Sequence, residues 1–368
     1  MTFRSRTMVL LSALCLLFTS QIAMAEVKFS WVKTKTSTSS IPNFDTEIQS
    51  FITQAQTEIG DKIKSQDSLA KGMANASAYS SQAATLQGFQ GYDIFAVMGG
   101  GMLGVQLPTF SMSEMMKVPD KIQEDMDVYA GIAMGAAVNV GINAGYIGKL
   151  FGLGWLRPLD RDLYLNVKFM KFDQSLSDVE ASMTTFGLEA AWQVVGVKGI
   201  GGGLLKWRGV SVGTGFMMNK NDVSMTLAEG LPPTETTYMK LEPELTVGIN
   251  SSAYSIPFEA TTSVQLLYLL NLNLGLGMDF NFGHGDVVIN SPAKVFTKAQ
   301  ALGGVNIPEE EVGTLTVDAS TLGQSPSSVR MRIMTGAGFN FGPVKIDIPL
   351  TWYLSSGLSV GVTGGIVW

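Results

Sequence analysis

The stretch "NLNLGLGMDFNFG", residues 271–283, decides how the rest of the chain is read. Leu272, Leu274, Leu276, Met278, Phe280 and Phe282 alternate with Asn271, Asn273, Gly275, Gly277, Asp279 and Asn281. A period of two marks a β-strand whose two faces meet different surroundings. A half-buried strand of a soluble sandwich fits this pattern, and so does a strand of a membrane barrel. The two differ in whether the alternation recurs along the chain and in whether the polar row is small and neutral enough to line an enclosed lumen.

The alternation recurs. In "VRMRIMTGAGFNF" (329–341), Val329, Met331, Ile333, Ala337 and Phe339 face one way and Arg330, Arg332, Gly336, Gly338 and Asn340 the other. Beyond Gly342-Pro343, "VKIDIPLTWYL" sets Val344, Ile346, Ile348, Leu350 and Trp352 against Lys345, Asp347, Thr351 and Tyr353, and "LSVGVTGGIVW" closes the chain in the same code. About twelve strands are expected, near residues 92–107, 126–145, 161–174, 180–195, 207–219, 222–229, 237–250, 254–268, 271–283, 328–341, 344–354 and 357–368. Several exceed the ~9–11 residues that a tilted strand needs to cross hydrocarbon. Their polar rows are largely Gly, Ala, Ser, Thr and Asn, whereas the outer row of a soluble sandwich would carry more charge. The fold class that follows is all-β: a transmembrane antiparallel β-barrel of about 12–14 strands, closed because lipid cannot satisfy an open edge. A soluble exported β protein is the plainer alternative.

Composition agrees, with 15% charged residues and 41 glycines in 368 residues. Arg4 and Arg6 precede an apolar run from Met8 to Phe18, and Ala23-Met24-Ala25 offers a cleavage site, so residues 1–25 read as a signal peptide. The only cysteine, Cys15, lies in that run, which leaves the mature chain without thiol chemistry. Without the two leader arginines the chain has 23 basic against 31 acidic residues, a net charge of −8 that argues against nucleic acid as a partner.

Residues 26–90 differ in composition from the strands that follow. Ile48, Phe51, Ile52, Ala55, Ile59 and Ile63 keep a helical period, with Asn43 or Asp45 as cap. "SLAKGMANASAYSSQAATLQGFQG" then runs on in small and polar residues. Helix and segment together are expected in or just below the lumen as a plug, with the barrel over 91–368.

Signal peptide, N-terminal plug and a single barrel ending in the aromatic Trp368 resemble the FadL family of fatty-acid and hydrocarbon channels. The Asn-Pro-Ala hatch motif of that family has no counterpart; Ala74-Asn75-Ala76 stands where it would be sought and lacks the proline. The resemblance implies passive, plug-gated uptake of small hydrophobic molecules across the cell outer membrane. The expected partners are outer-membrane lipid, the barrel assembly machinery and the hydrophobic solute itself. A terminal strand that ends in an aromatic resembles the assembly signal of such barrels, and it puts Trp368 at the periplasmic rim and 283–328 in an extracellular loop.

Two segments bear on substrate. Phe110, Met112, Met115 and Met116 make an apolar loop after the first strand, and methionine adapts to irregular ligands. Ser291, Pro292 and Gly303 delimit a short helix that carries Val295 and Phe296 on the outer surface. Parity assigns to the lumen Lys168, Glu189, Glu242, Glu244, Glu259, Asp279, Arg330, Arg332, Lys345 and Asp347, whose mixed signs suit fastening of a plug.

No enzyme, metal or cofactor is expected. The single His284 has no nucleophile or acid placed beside it by spacing, and neither Gly99-Gly100-Gly101 nor Gly201-Gly202-Gly203 is followed by the Gly-Lys-Ser/Thr of a phosphate loop. The alternative function is a sealed surface barrel whose loops bind a host or envelope partner.

Overall fold

A computed structural model describes residues 26–34, 44–46, 48–50, 52–53, 67–83, 92–107, 131–152, 163–176, 178–200, 204–227, 234–235, 239–302, 305–321, 323–354 and 357–368. The strands are β1 (Glu26–Lys33), β2 (Phe95–Gln106), β3 (Gly131–Asn143), β4 (Leu163–Leu176), β5 (Val179–Val195), β6 (Lys198–Ile200), β7 (Leu205–Leu227), β8 (Thr234–Glu235) and β9 (Met239–Pro243). They continue as β10 (Leu245–Leu266), β11 (Leu270–Thr297), β12 (Gln300–Leu302), β13 (Val305–Ile307), β14 (Glu311–Ser320), β15 (Val329–Phe341), β16 (Val344–Tyr353) and β17 (Gly357–Val367). Helix α1 is Asp67–Ser80 and α2 is Ala144–Leu150.

Twelve strands follow one another as β1-β14-β11-β10-β7-β5-β4-β3-β2-β17-β16-β15, and a further pairing of β11 with β15 closes ten of them into a ring. All ladders are antiparallel. The last strand is hydrogen-bonded to the first ring strand from Gly357↔Gln106 to Val367↔Ala96, which leaves no open edge in the ring. The fold is a transmembrane antiparallel β-barrel, as the alternation predicts.

The two rows take the sides that parity assigns. Ile132, Met134, Val138 and Val140 of β3, Leu272, Leu274 and Leu276 of β11, and Val360 and Val362 of β17 stand exposed on the outer wall, while Asn139, Asn166, Lys168, Asn271, Asn273, Arg332, Thr351 and Thr363 are buried inside. This inverts a water-soluble protein, and only an apolar solvent makes it favourable, at roughly 25 cal/mol per Å² of apolar surface removed from water.

Several strands are longer than the sequence suggests. Residues 207–219 and 222–229 belong to the single strand β7, and 254–268 with much of 237–250 to β10. The ruler at 271–283 is the first half of a 28-residue strand. In that half β11 pairs with β15, from Leu270↔Phe339 to Phe280↔Val329. Beyond Phe280 it parts from β15, with Gly283 at a φ of +138°; it stays paired with β10 as far as Asn290, gains β14 on the other edge from Val288, and from Ala293 to Thr297 pairs with β9. β1 adds to the far edge of β14. These strands make a tier at the end of the barrel remote from Trp368, where a loop over 283–328 is expected from sequence.

The tier has its own core. Residues 44–46, 48–50 and 52–53 are helical, and Phe44, Ile48 and Ile52 pack with Met239, Leu241, Ala293, Val295, Val312 and Leu315, flanked by Phe29 and Trp31. Two expectations are corrected here. The described part of the amphipathic helix, with Ile48 and Ile52, lies on the tier and not in the lumen, because these side chains find apolar partners there, while Phe51, Ala55, Ile59 and Ile63 fall outside the described residues. Val295 and Phe296 lie in β11 and not on a surface helix: Val295 is fully buried in the tier core, and β-pairing on both edges overrides the Ser291-Pro292 helix-start signal. Glu242 likewise leaves the lumen set, since it is in β9 and bonds Lys240 at 2.7 Å, and Glu244, whose N–H bonds Pro292 O, sits in the same tier.

Truncating the buried Phe44 to Ala should cost about 3–5 kcal/mol of local stability. Limited proteolysis in detergent micelles should then cut the tier strands of Phe44→Ala while the ring fragment survives, whereas the wild-type tier resists.

Candidate functional site: the plugged lumen

Nine of the fourteen residues of helix α1 are Ala, Gly, Ser or Asn, and apart from Tyr79 those buried along it are all of these types. Such a helix is thin, and the barrel wall meets its backbone directly. A methyl group added at Gly285 would run into Ala70 O, at Gly131 into Gly72, at Gly104 into Ala76 O and at Gly135 into Ser80 O. Gly357 gives the same close approach to the Tyr79 ring. The repeated glycines of the inner row therefore make a seat for a helix as well as leaving volume.

Side chains fasten the helix from several strands. Asn219 of β7 donates from Nδ2 to Ser80 Oγ at 2.8 Å and to Met134 O at 3.1 Å, and Asn221 Nδ2 reaches Ser77 Oγ at 3.2 Å. Asn75 Oδ1 accepts the Ser327 N–H at 2.8 Å. Tyr79 donates to Gln106 Oε1 at 2.8 Å, stacks on Tyr353 with centroids 3.9 Å apart, and has the Arg330 guanidinium over its ring at 5.0 Å. These bonds give the polar side chains Asn75, Ser77, Tyr79 and Ser80 of α1 partners on the wall, as burial away from bulk solvent requires.

Below the helix lies the charge cluster. Arg332, fully buried, reaches Glu259 Oε2 at 2.9 Å through Nη2 and Asp279 Oδ1 at 3.0 Å through Nε, and its Nη1 donates to Gln82 Oε1 just after α1. One guanidinium thus ties β15, β10, β11 and the plug. Lys168 and Glu189 form a second buried pair at 2.9 Å, and next to it Tyr92 donates to Asn166 Oδ1 at 3.2 Å. Lys345 and Asp347 of β16 are buried with them in the inner row. Of the ten residues assigned to the lumen by parity, the eight other than Glu242 and Glu244 face inward and are buried or partly buried.

Phe110, Met112, Met115 and Met116 fall outside the described residues, as do residues 1–25, where a signal peptide is expected from sequence. Trp368 accepts the backbone N–H groups of Asp93, Ile94 and Phe95 and leaves its ring exposed on the rim. Sequence reasoning did not find Asn75, Ser77, Tyr79, Gln82, Asn219 or Asn221. Tyr79 could have been flagged as the one bulky side chain in a run of small ones.

His284 does have polar neighbours. Ser252, its cross-strand partner in β10, places Oγ 3.1 Å from Nδ1 and 3.5 Å from Nε2, and Asp286 Oδ2 is 3.7 Å from Nε2. The hydroxyl is within hydrogen-bond distance of Nδ1, whereas the carboxylate is beyond hydrogen-bond reach. Among the described residues no group of three or more His, Cys, Asp or Glu could hold a metal ion.

Fold and lumen define a membrane-type β-barrel whose interior holds the helix α1. The particular family is shown by a family model that matches residues 23–368: the chain belongs to the Lsa36-like family. No curated protein matches it. Among solved structures, the translocator domain of the autotransporter NalP from Neisseria meningitidis is 11% identical, covers 75% of this chain and 88% of its own, and has a TM-score of 0.29. The CymD monoaromatic hydrocarbon channel is 10% identical, with 81% and 93% covered and a TM-score of 0.24. A Pseudomonas aeruginosa FadL homologue is also 10% identical, with 82% and 96% covered and a TM-score of 0.24. Likenesses this distant say nothing of what the chain does.

The lumen yields two expectations for stability. Arg332→Leu leaves Glu259 and Asp279 as buried, uncompensated carboxylates and should lower stability by about 3–5 kcal/mol. Gly131→Ala forces a methyl group into the backbone of α1 and should cost about 1–3 kcal/mol, whereas Gly99→Ala, with nothing within 4 Å of its added carbon, should be near neutral. Guanidinium midpoints of the three variants in one detergent check both.

Proposed function

We propose that the protein is a surface-display barrel of the outer membrane, sealed by its own N-terminal segment, that presents the tier to a macromolecular partner of the host or the envelope. The observation that carries this reading is the glycine seat: a helix whose backbone touches the wall at four glycines and whose side chains bond several strands fills the lumen in the manner of a structural element. Trp368 faces the periplasm in this reading, where its rim position suits recognition by the assembly machinery, and the tier stands outside. No catalysis, metal or cofactor enters.

The second reading is plug-gated uptake of small hydrophobic molecules. One observation favours it: an apolar hollow of about 560 Å³ on the outer wall, lined by Leu163, Trp192, Val212 and Phe258 and reaching Gly213 and Glu259. A solute that gathered there would still need α1 to move.

The two readings part in a reconstituted bilayer. Ser77→Cys/Asn221→Cys places a disulfide where the two side chains already meet at 3.2 Å. A sealed display barrel shows no conductance and no oleate transfer into liposomes, with the bond oxidised or reduced. Open-channel steps in the wild type, or oleate transfer that stops on oxidation and returns on reduction, would reject the display reading in favour of a gate.

A further inference from the structure

The chain threads its own closed ring. β1 pairs with β14 in the tier, from Glu26↔Ser320 to Lys33↔Gly313, and the helical residues Phe44, Ile48 and Ile52 complete the tier core. α1 then runs down the lumen. Ala70 lies against Gly285 and Gly72 against Gly131 near the tier, whereas Ser80 lies against Gly135, further along β3. Tyr92 reaches Gly141 and Asn166 near the opposite mouth, and the Asp93 N–H bonds Trp368 O at 2.9 Å on the rim. Ring strand β2 starts at Phe95 on that rim. β1 and the tier residues Phe44, Ile48 and Ile52 are therefore separated from ring strand β2 by α1, which lies in the lumen between the two mouths.

We infer that the barrel passes its own N-terminal segment, residues 26–80, across the membrane, and that the tier is completed on the far side only after this passage. Three features support the order. Phe29, Trp31 and Phe44 are too bulky for a lumen whose wall touches the backbone of an alanine-rich helix, so they pass before α1 seats. The tier core combines three side chains of the threaded segment with six of β9, β11 and β14, so it cannot close without them. The residues that follow them through are the small ones of α1, which fit the glycine seat and stop there. The seal of the display reading, on which this inference rests, is the last stage of that passage.

Side-specific labelling tests it. In a Cys15→Ser background, Val32→Cys reports the threaded segment, Glu309→Cys the tier and Pro343→Cys the Trp368 end; all three sites are exposed. A membrane-impermeant maleimide applied to intact cells should label Val32→Cys and Glu309→Cys alike and reach Pro343→Cys only after the outer membrane is permeabilised. Val32→Cys labelling together with Pro343→Cys overturns the inference. A pattern in which Val32→Cys and Glu309→Cys are both protected while Pro343→Cys labels refutes the orientation of the display reading and the passage with it, because residues 26–80 would then have stayed on the periplasmic side. A second arm places a domain that folds only with bound calcium between residues 34 and 35. With calcium chelated, Val32→Cys should reach the tier side; with calcium present its labelling there should fall at least tenfold. Equal labelling in both conditions overturns passage through the lumen.

Discussion

Side chains that are apolar on one face of every ring strand and small or polar on the other admit only one arrangement of solvents. The outer row requires lipid, and lipid requires that no backbone donor or acceptor be left open. Closure of β17 on β2 and of β11 on β15 meets that demand. Closure creates an interior, and a ring of ten strands encloses a space that the inner row alone does not fill. The chain fills it with α1, and the glycines of the inner row allow the helix backbone to lie against the wall.

Buried charge follows from the same constraint. In the lumen Arg332 cannot be hydrated by bulk water, so its guanidinium distributes donors to Glu259, Asp279 and Gln82. Such clusters contribute little net stability relative to apolar packing, but losing one partner is costly. They act as register marks: Arg332 fixes the relation of β10, β11 and β15 to the residue that follows α1. The tier obeys ordinary soluble-protein rules, with an apolar core between a helix and a sheet.

How much of this was legible depends on the range of the interaction. The parity of 271–283 and 329–341 was local, and it gave the fold class and the inward side of Asp279, Arg330 and Arg332, as the same alternation in 161–174 and 180–195 did for Lys168 and Glu189. The helical period of Ile48 and Ile52 was local as well, but the surface it packs on is made of Met239, Val295 and Leu315, far along the chain, so its place on the tier was not readable. Ser291-Pro292 carried a genuine helix-start signal, which pairing with β14 and β9 defeated. Ser252 and His284 are 32 residues apart and meet only through the β10–β11 register. The plug partners Asn219 and Asn221 look like any asparagine in a strand until the helix is beside them.

The division of solvents can be measured at two neighbouring positions of the opening ruler. Spin labels at Leu274→Cys and Asn273→Cys in lipid bilayers would be compared for collisions with oxygen, which concentrates in lipid, and with a water-soluble nickel complex. The account predicts a Leu274 label relaxed by oxygen and shielded from nickel, and an Asn273 label shielded from oxygen. A Leu274 label relaxed by nickel, or one that neither agent reaches, would contradict it.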